Sequence, residues 1–122
     1  DRPIVVRAHP GDRQARKYLR KDRRWTISDA DSILQDLKDA WATVTYNSSP
    51  GVVSAIQGIP VFVTDPTPTI SQAHDVANTR LKLIETPGTY DRLQWLSKLS
   101  MCHWNFEELK SGEAWNHIRK FL

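Results

Sequence analysis

Apolar positions along this chain fall into short clusters, and the spacing inside each cluster predicts its element. Ile4-Val5-Val6 is a β-branched run closed by His9-Pro10-Gly11, which predicts a buried strand ending in a tight turn. Asp12 is placed to cap a helix over about 12–22, whose outer face is a cluster of Arg and Lys. Trp25-Thr26-Ile27 predicts a second strand. Ile33, Leu34, Leu37 and Trp41 then recur at helical spacing, on a helix opened by Ser28 or Asp29. Residues 42–46 read as a third strand. Ser49 and Pro50 suit the N-cap and first turn of a helix carrying Val52, Val53, Ala55 and Ile56, which Gly58 stops. Pro60-Val61-Phe62-Val63 is a near-continuous apolar run, the pattern of a parallel strand covered on both faces, and Asp65-Pro66-Thr67-Pro68 breaks it. A weak helical stretch over about 70–77 follows. A firmer helix over 89–101 carries Leu93, Leu96 and Leu99 around Trp95, and one or two terminal helices cross 105–121.

Strand, turn and helix repeated in this way predict an α/β fold, an open parallel sheet with flanking helices. Its 122 residues suffice for one domain, 1–122, with 89–122 as a helical C-terminal segment. Such sheets bind ligands outside the carboxyl ends of their strands. The loops at 8–12 and 46–51 follow two strands and are expected to open on one edge.

Composition removes several classes. No apolar run approaches the roughly 18 residues that span a bilayer. Cys102 is the only cysteine, so a disulfide scaffold is excluded, and a single free thiol fits a reducing, cytoplasmic setting. Five Trp and repeated Val/Ile clusters give the chain a core to bury, against wholesale disorder. A start at Asp1, directly before a strand, suggests a fragment of something longer. The net charge of +3 is uneven: residues 1–24 hold nine Lys/Arg against three acids. That basic stretch suits a phosphate-bearing ligand, nucleic acid, an anionic surface, or simply a solvated helix face.

The chemistry concentrates in the two strand-end loops. His9 can donate a ring N–H to a phosphate oxygen, Pro10 fixes the turn, and Gly11 lets the backbone come close. Asn47, Ser48 and Ser49 offer side-chain donors beside the unpaired N–H groups expected at a helix start. Simple N-capping accounts for Ser49 alone. Asp65 and Thr64, at the end of the Val61–Val63 run, face the same predicted edge. They can contact sugar or ribose hydroxyls, or Asp65 can merely initiate the turn at Pro66. His74, His103 and His117 are too scattered in sequence to suggest a metal site, and Cys102 beside His103 does not make a nucleophile.

His9-Pro10, then Ser48-Ser49 some 37 residues on, then Gly58-Ile59-Pro60-Val61, resembles the C-terminal, donor-binding half of GT-B glycosyltransferases. More specifically, it resembles the capsular-polysaccharide, bacterial sialyltransferase and Kdo-transferase types, with their "HP" and "SS" motifs, over about residues 4–65. The resemblance implies a Rossmann-like domain in which His9, Ser48 and Ser49 hold the phosphate of a nucleotide-activated sugar, CMP-linked in those families. It implies metal-independent transfer to a glycan or other hydroxyl acceptor, with no cofactor beyond the nucleotide-sugar substrate. It also implies a bacterial or phage protein acting in the cytoplasm. The acidic catalytic base of those families lies in an N-terminal half, so no residue of this chain is assigned that role and a partner half is expected. Two other functions fit the residues: a nucleotide- or phosphate-binding module without transferase activity, and a nucleic-acid-binding domain using the basic face at 13–24.

The C-terminal third holds Tyr90, Trp95, Trp104, Phe106, Trp115 and Phe121. Nucleic-acid readers stack bases on such residues. Their helical spacing here instead predicts core packing by Leu93, Trp95, Leu96 and Leu99, and the resemblance to GT-B proteins implies that Trp104 and Trp115 face another domain.

Overall fold

The computed structural model describes residues 2–12, 14–19, 22–67 and 70–122, with Arg16 described by its backbone only. Among them the chain is α/β, with strands β1 (Ile4–Val6), β2 (Trp25–Ile27), β3 (Thr43–Thr45), β4 (Val61–Val63) and β5 (Ala77–Asn78). The helices are α1 (Ala15–Tyr18), α2 (Ile33–Leu37), α3 (Pro50–Ile56), α4 (Arg92–Ser100), α5 (Phe106–Ser111) and α6 (Glu113–Ile118). Short 3₁₀ turns occupy His74–Val76 and Leu81–Leu83.

Among the described residues the five strands pair in parallel, as the apolar runs predict, with one isolated antiparallel bridge between Asp22 and Trp25, but the ladder is split in two. β1 pairs with β2, Ile4 opposite Trp25, and a separate sheet runs β3-β4-β5, Val44 opposite Phe62 and Val61 opposite Ala77. The core belongs to the second sheet. Val61, Phe62 and Val63 are fully buried, and Val52, Ala55, Ala73, Val76, Ala77 and Trp95 close around the same sheet. A fully buried Val or Phe stabilises the fold by roughly 1.5–3 kcal/mol, so this cluster carries most of the packing energy. β1 is covered far less: Ile4 and Val5 are both more than half exposed. The N-terminal ends of β1 and β3 are tied by Arg2, whose guanidinium lies 4.1 Å from the Trp41 ring centroid and pairs with Glu85. Trp41 in turn donates its indole N–H to the Ile84 carbonyl at 2.8 Å.

Several expected elements are shorter or shifted. The 12–22 helix is reduced to Ala15–Tyr18. Asp12 still serves its start, accepting from the Gln14 amide at 2.9 Å. Arg13, Arg20 and Lys21, which carry much of the basic face, lie outside the described residues. α2 starts later than expected, because Ser32 and Gln35 form a capping box, while Ser28 is drawn instead to Asp36. The 70–77 stretch holds only one 3₁₀ turn before giving way to β5. In α4 Trp95 is buried and Leu96 and Leu99 pack beside it, but Leu93 is 80% exposed and not part of the core. It lies about 200° around the helix from Trp95. The terminal helices are two, broken at Gly112. Trp104 is half-buried against His117, with ring centroids 5.2 Å apart, whereas Trp115 is exposed.

Candidate functional site

The first loop leaves β1 at Arg7 and turns at His9-Pro10, where the Asp12 amide donates to the His9 carbonyl at 3.0 Å. The Gly11 amide donates to Nδ1 of the exposed His9 ring at 3.0 Å. A neutral imidazole whose Nδ1 accepts carries its proton on Nε2, so the loop presents one fixed N–H donor. Arg7, Ala8, His9, Pro10, Asp12, Ser28 and Ala30 line a cleft of about 280 Å³. Arg7 is not a free cation there. Its Nη1 donates to Asp36 Oδ2 at 2.6 Å and to the Ala30 carbonyl at 3.0 Å, and Ser28 Oγ donates to Asp36 Oδ1 at 2.6 Å. His9 is therefore an uncommitted donor at a cleft whose one cation among the described residues, Arg7, is neutralised by Asp36.

The second loop leaves β3 at Thr45 and enters α3 at Pro50. Gly51 is what allows that entry. A Cβ built there would lie 3.0 Å from Thr45 Cγ2 and 3.3 Å from Val61 Cγ1, so only a residue without one brings α3 this close to β3 and β4. At its other end α3 stops where Gly58 takes φ +84°, and Arg92 Nη1 donates to the Ala55 carbonyl at 3.1 Å. The expected unpaired N–H groups at the helix start are not found. Gly51 donates to the Ser48 carbonyl, and Val52 and Val53 donate to that of Ser49. Nor does the Ser49 side chain cap α3, because its own backbone is already helical. The donors this loop offers are thus hydroxyls. Ser48 and Ser49 are exposed, and among the described residues neither hydroxyl has a hydrogen-bond partner.

Asp65 behaves differently from a free ligand contact. It is buried at the end of β4, accepting from the Thr67 amide at 2.8 Å and from Asn47 Nδ2 at 2.7 Å. The first of these bonds is the turn that Asp65-Pro66 predicts; the second straps β4 to the β3–α3 loop. Thr64 is exposed, and its amide donates to the Thr45 carbonyl at 3.0 Å. Asn47 and Ser49, with Val52, Ile70 and Gln72, line a second cavity of about 290 Å³ that shares no residue with the His9 cleft. The Asp65 strap is the feature that sequence reasoning missed. Its signal was an acid two residues beyond the apolar Val61–Val63 run, a position that demands partners if it is buried.

Hydrogen bonding from the Thr67 amide, with Asn47 adding to it, holds the Asp65 carboxyl below its ordinary value despite opposing burial. For Asp36 burial pushes upward most strongly, yet the bonds from Ser28 and Arg7 outweigh it and the net direction is again down. A carboxyl lowered in the folded state binds fewer protons than in the unfolded chain, so both contribute stability above the unfolded value. That contribution is lost as pH falls through the lowered values. Thermal unfolding followed across acidic pH should therefore show the melting temperature dropping at the acid end. Asp65→Asn should flatten that drop, and an unchanged acid limb in the variant would refute the assignment.

Among the described residues no three His, Cys, Asp or Glu side chains converge as a metal site, and no helix is long and apolar enough to cross a membrane. His103 and Cys102 are exposed, and His117 packs between Trp104 and Phe121. No family model, curated protein or solved structure matches the chain.

Proposed function

We propose that the chain is the donor-binding domain of a GT-B-like glycosyltransferase, taking a nucleotide-activated sugar, CMP-linked by preference, for transfer to a glycan or other hydroxyl acceptor. In this reading the His9 Nε2–H and the Ser48 and Ser49 hydroxyls grip the donor phosphate. They stabilise the charge that develops on the leaving nucleotide. The catalytic base and the acceptor site belong to a partner half, and the protein acts in the cytoplasm of a bacterium or of a phage-infected host. The observation that carries the reading is the His9 ring, held by the Gly11 amide at the edge of a cleft that Arg7 also lines.

A thermal-shift panel with CMP, UDP, GDP, a CMP-sugar and a short random DNA duplex tests it. At about 100 times its dissociation constant a ligand stabilises the fold by roughly 2.7 kcal/mol, several degrees for a domain of this size. Selective stabilisation by one nucleotide is expected, and no shift with any of them counts against the reading. His9→Ala and Ser48→Ala should each weaken nucleotide binding by roughly 1–3 kcal/mol while leaving the melting temperature of the free protein nearly unchanged, since both residues are exposed. Equal affinity in both variants and the parent would remove these residues from the phosphate site. A shift with DNA alone, lost as salt rises, would transfer the function to the basic segment. Within that segment Arg24 is already paired with Asp22 and stacked 4.9 Å from the Trp25 ring centroid, which favours the nucleotide over the nucleic acid.

A further inference from the structure

Asp65 decides which polar atom of Asn47 is left for a ligand. An ionised carboxylate only accepts, so the Asn47 side chain must offer it Nδ2, at 2.7 Å. With one Nδ2 hydrogen committed to Asp65, the amide is fixed with Oδ1, an acceptor, turned away from the carboxylate, and its second N–H stays on the side of Asp65. Asn47 lines the 290 Å³ cavity with Ser49, Val52, Ile70 and Gln72, so among the described residues its wall holds no Lys, Arg or His. Phosphate brings only acceptor oxygens and negative charge. It would meet an acceptor at Asn47, with the Asp65 carboxylate directly behind. A hydroxyl or amino group finds its partner there instead, and Val52 and Ile70 offer apolar surface to the C–H face of a sugar ring.

We propose that this cavity is a subsite for the uncharged, hydroxyl-bearing part of the ligand, and that Asp65 sets its specificity by holding Asn47 as a hydrogen-bond acceptor. This rests on the nucleotide-sugar reading above and divides its labour: the anion goes to the His9 cleft, and ribose or the transferred sugar goes to the Asn47 cavity. Asn47 and Ser49, which both line this cavity, are thereby removed from the phosphate-binding set, leaving it to His9 and Ser48.

The test is a ¹⁵N chemical-shift titration of the full chain with cytidine, a methyl glycoside and inorganic phosphate, repeated on Asp65→Asn. In that variant the new carboxamide can donate to Asn47 Oδ1, freeing Asn47 to turn its NH₂ toward the cavity. Cytidine or the glycoside should move the Asn47 side-chain amide and the Ser49 and Gln72 signals, while phosphate moves His9 and leaves them in place. Whichever uncharged probe acts identifies ribose or the transferred sugar as the occupant. Asp65→Asn should weaken that probe about tenfold, the scale of one lost hydrogen bond at 1.4 kcal/mol per decade. The proposal is overturned if phosphate moves the Asn47 signals, if no uncharged probe does, or if folded Asp65→Asn binds the probe unchanged. Should Asp65→Asn fail to fold, the titration of the parent protein decides. A nucleotide that moves His9 while uncharged probes leave Asn47 still would sink the subsite and spare the nucleotide-sugar reading. An uncharged probe at Asn47 with no phosphate response at His9 would do the reverse.

Discussion

Trp95→Ala is expected to cost about 3–5 kcal/mol, as for other buried aromatic truncations. The ring is 5% exposed and seats α4 on the cluster formed by α3, β4 and β5. Its indole N–H donates to the Gln72 carbonyl at 2.8 Å, so truncation also removes that carbonyl's partner. A domain of this length has roughly 6–18 kcal/mol of stability in total, so the loss takes a large fraction of it. Urea unfolding should show the midpoint falling sharply. A loss below about 1 kcal/mol would mean that α4 does not seal this core. Because Gln72 also walls the Asn47 cavity, the same substitution should loosen that wall in whatever folded protein remains.

Gly51→Val is expected to destabilise by roughly 3 kcal/mol, the upper end for overpacking a tight contact. The new Cβ alone would sit 3.0 Å from Thr45 Cγ2, and the branched methyls have nowhere to go between β3, β4 and Ala73. Relief requires α3 to lift from the sheet, and Ser48 and Ser49 would lift with it. Stability and nucleotide affinity should therefore fall together, in contrast to Ser48→Ala, which should lower affinity alone. Denaturation and binding measured on both variants separate the cases. A stable Gly51→Val protein would show that α3 is not held as close as these distances require.

Four of the five strands were legible because each is a short run rich in β-branched residues, with polar or turn-forming residues close on either side. β5 was not: Ala77-Asn78 has no apolar run, and Asn78 is buried only because it bonds the Val61 carbonyl and the Gly88 amide. Those partners are 17 and 10 residues away and invisible to local pattern. The helix expected over 12–22 failed for a related reason. A stretch of Arg and Lys has propensity but no apolar stripe, and short helices owe their stability to a packed face. Leu93 misled through its regular three-residue spacing with Leu96 and Leu99, because the stripe is centred on Trp95. Of the site, the positions of both loops were legible from Pro and Gly. The pairing of the first-turn amides and the Asp65 strap were not: the first follows from Ser49 already having helical backbone, and the second from the Asn47 side chain of a segment 18 residues away.

The division of the strands into two sheets has a consequence for how tightly the chain can hold anything at His9. The loop that carries this residue springs from the thinner sheet, two strands of three residues each with β1 largely bare. Short parallel pairs without a covered face open locally at little free-energy cost, whereas the Val61–Val63 strand opens only with the whole domain. A ligand gripping His9 is therefore expected to spend part of its intrinsic affinity on ordering that sheet. Anything that rests on the bare face of β1 would do that ordering in advance and sharpen binding at His9 without touching it.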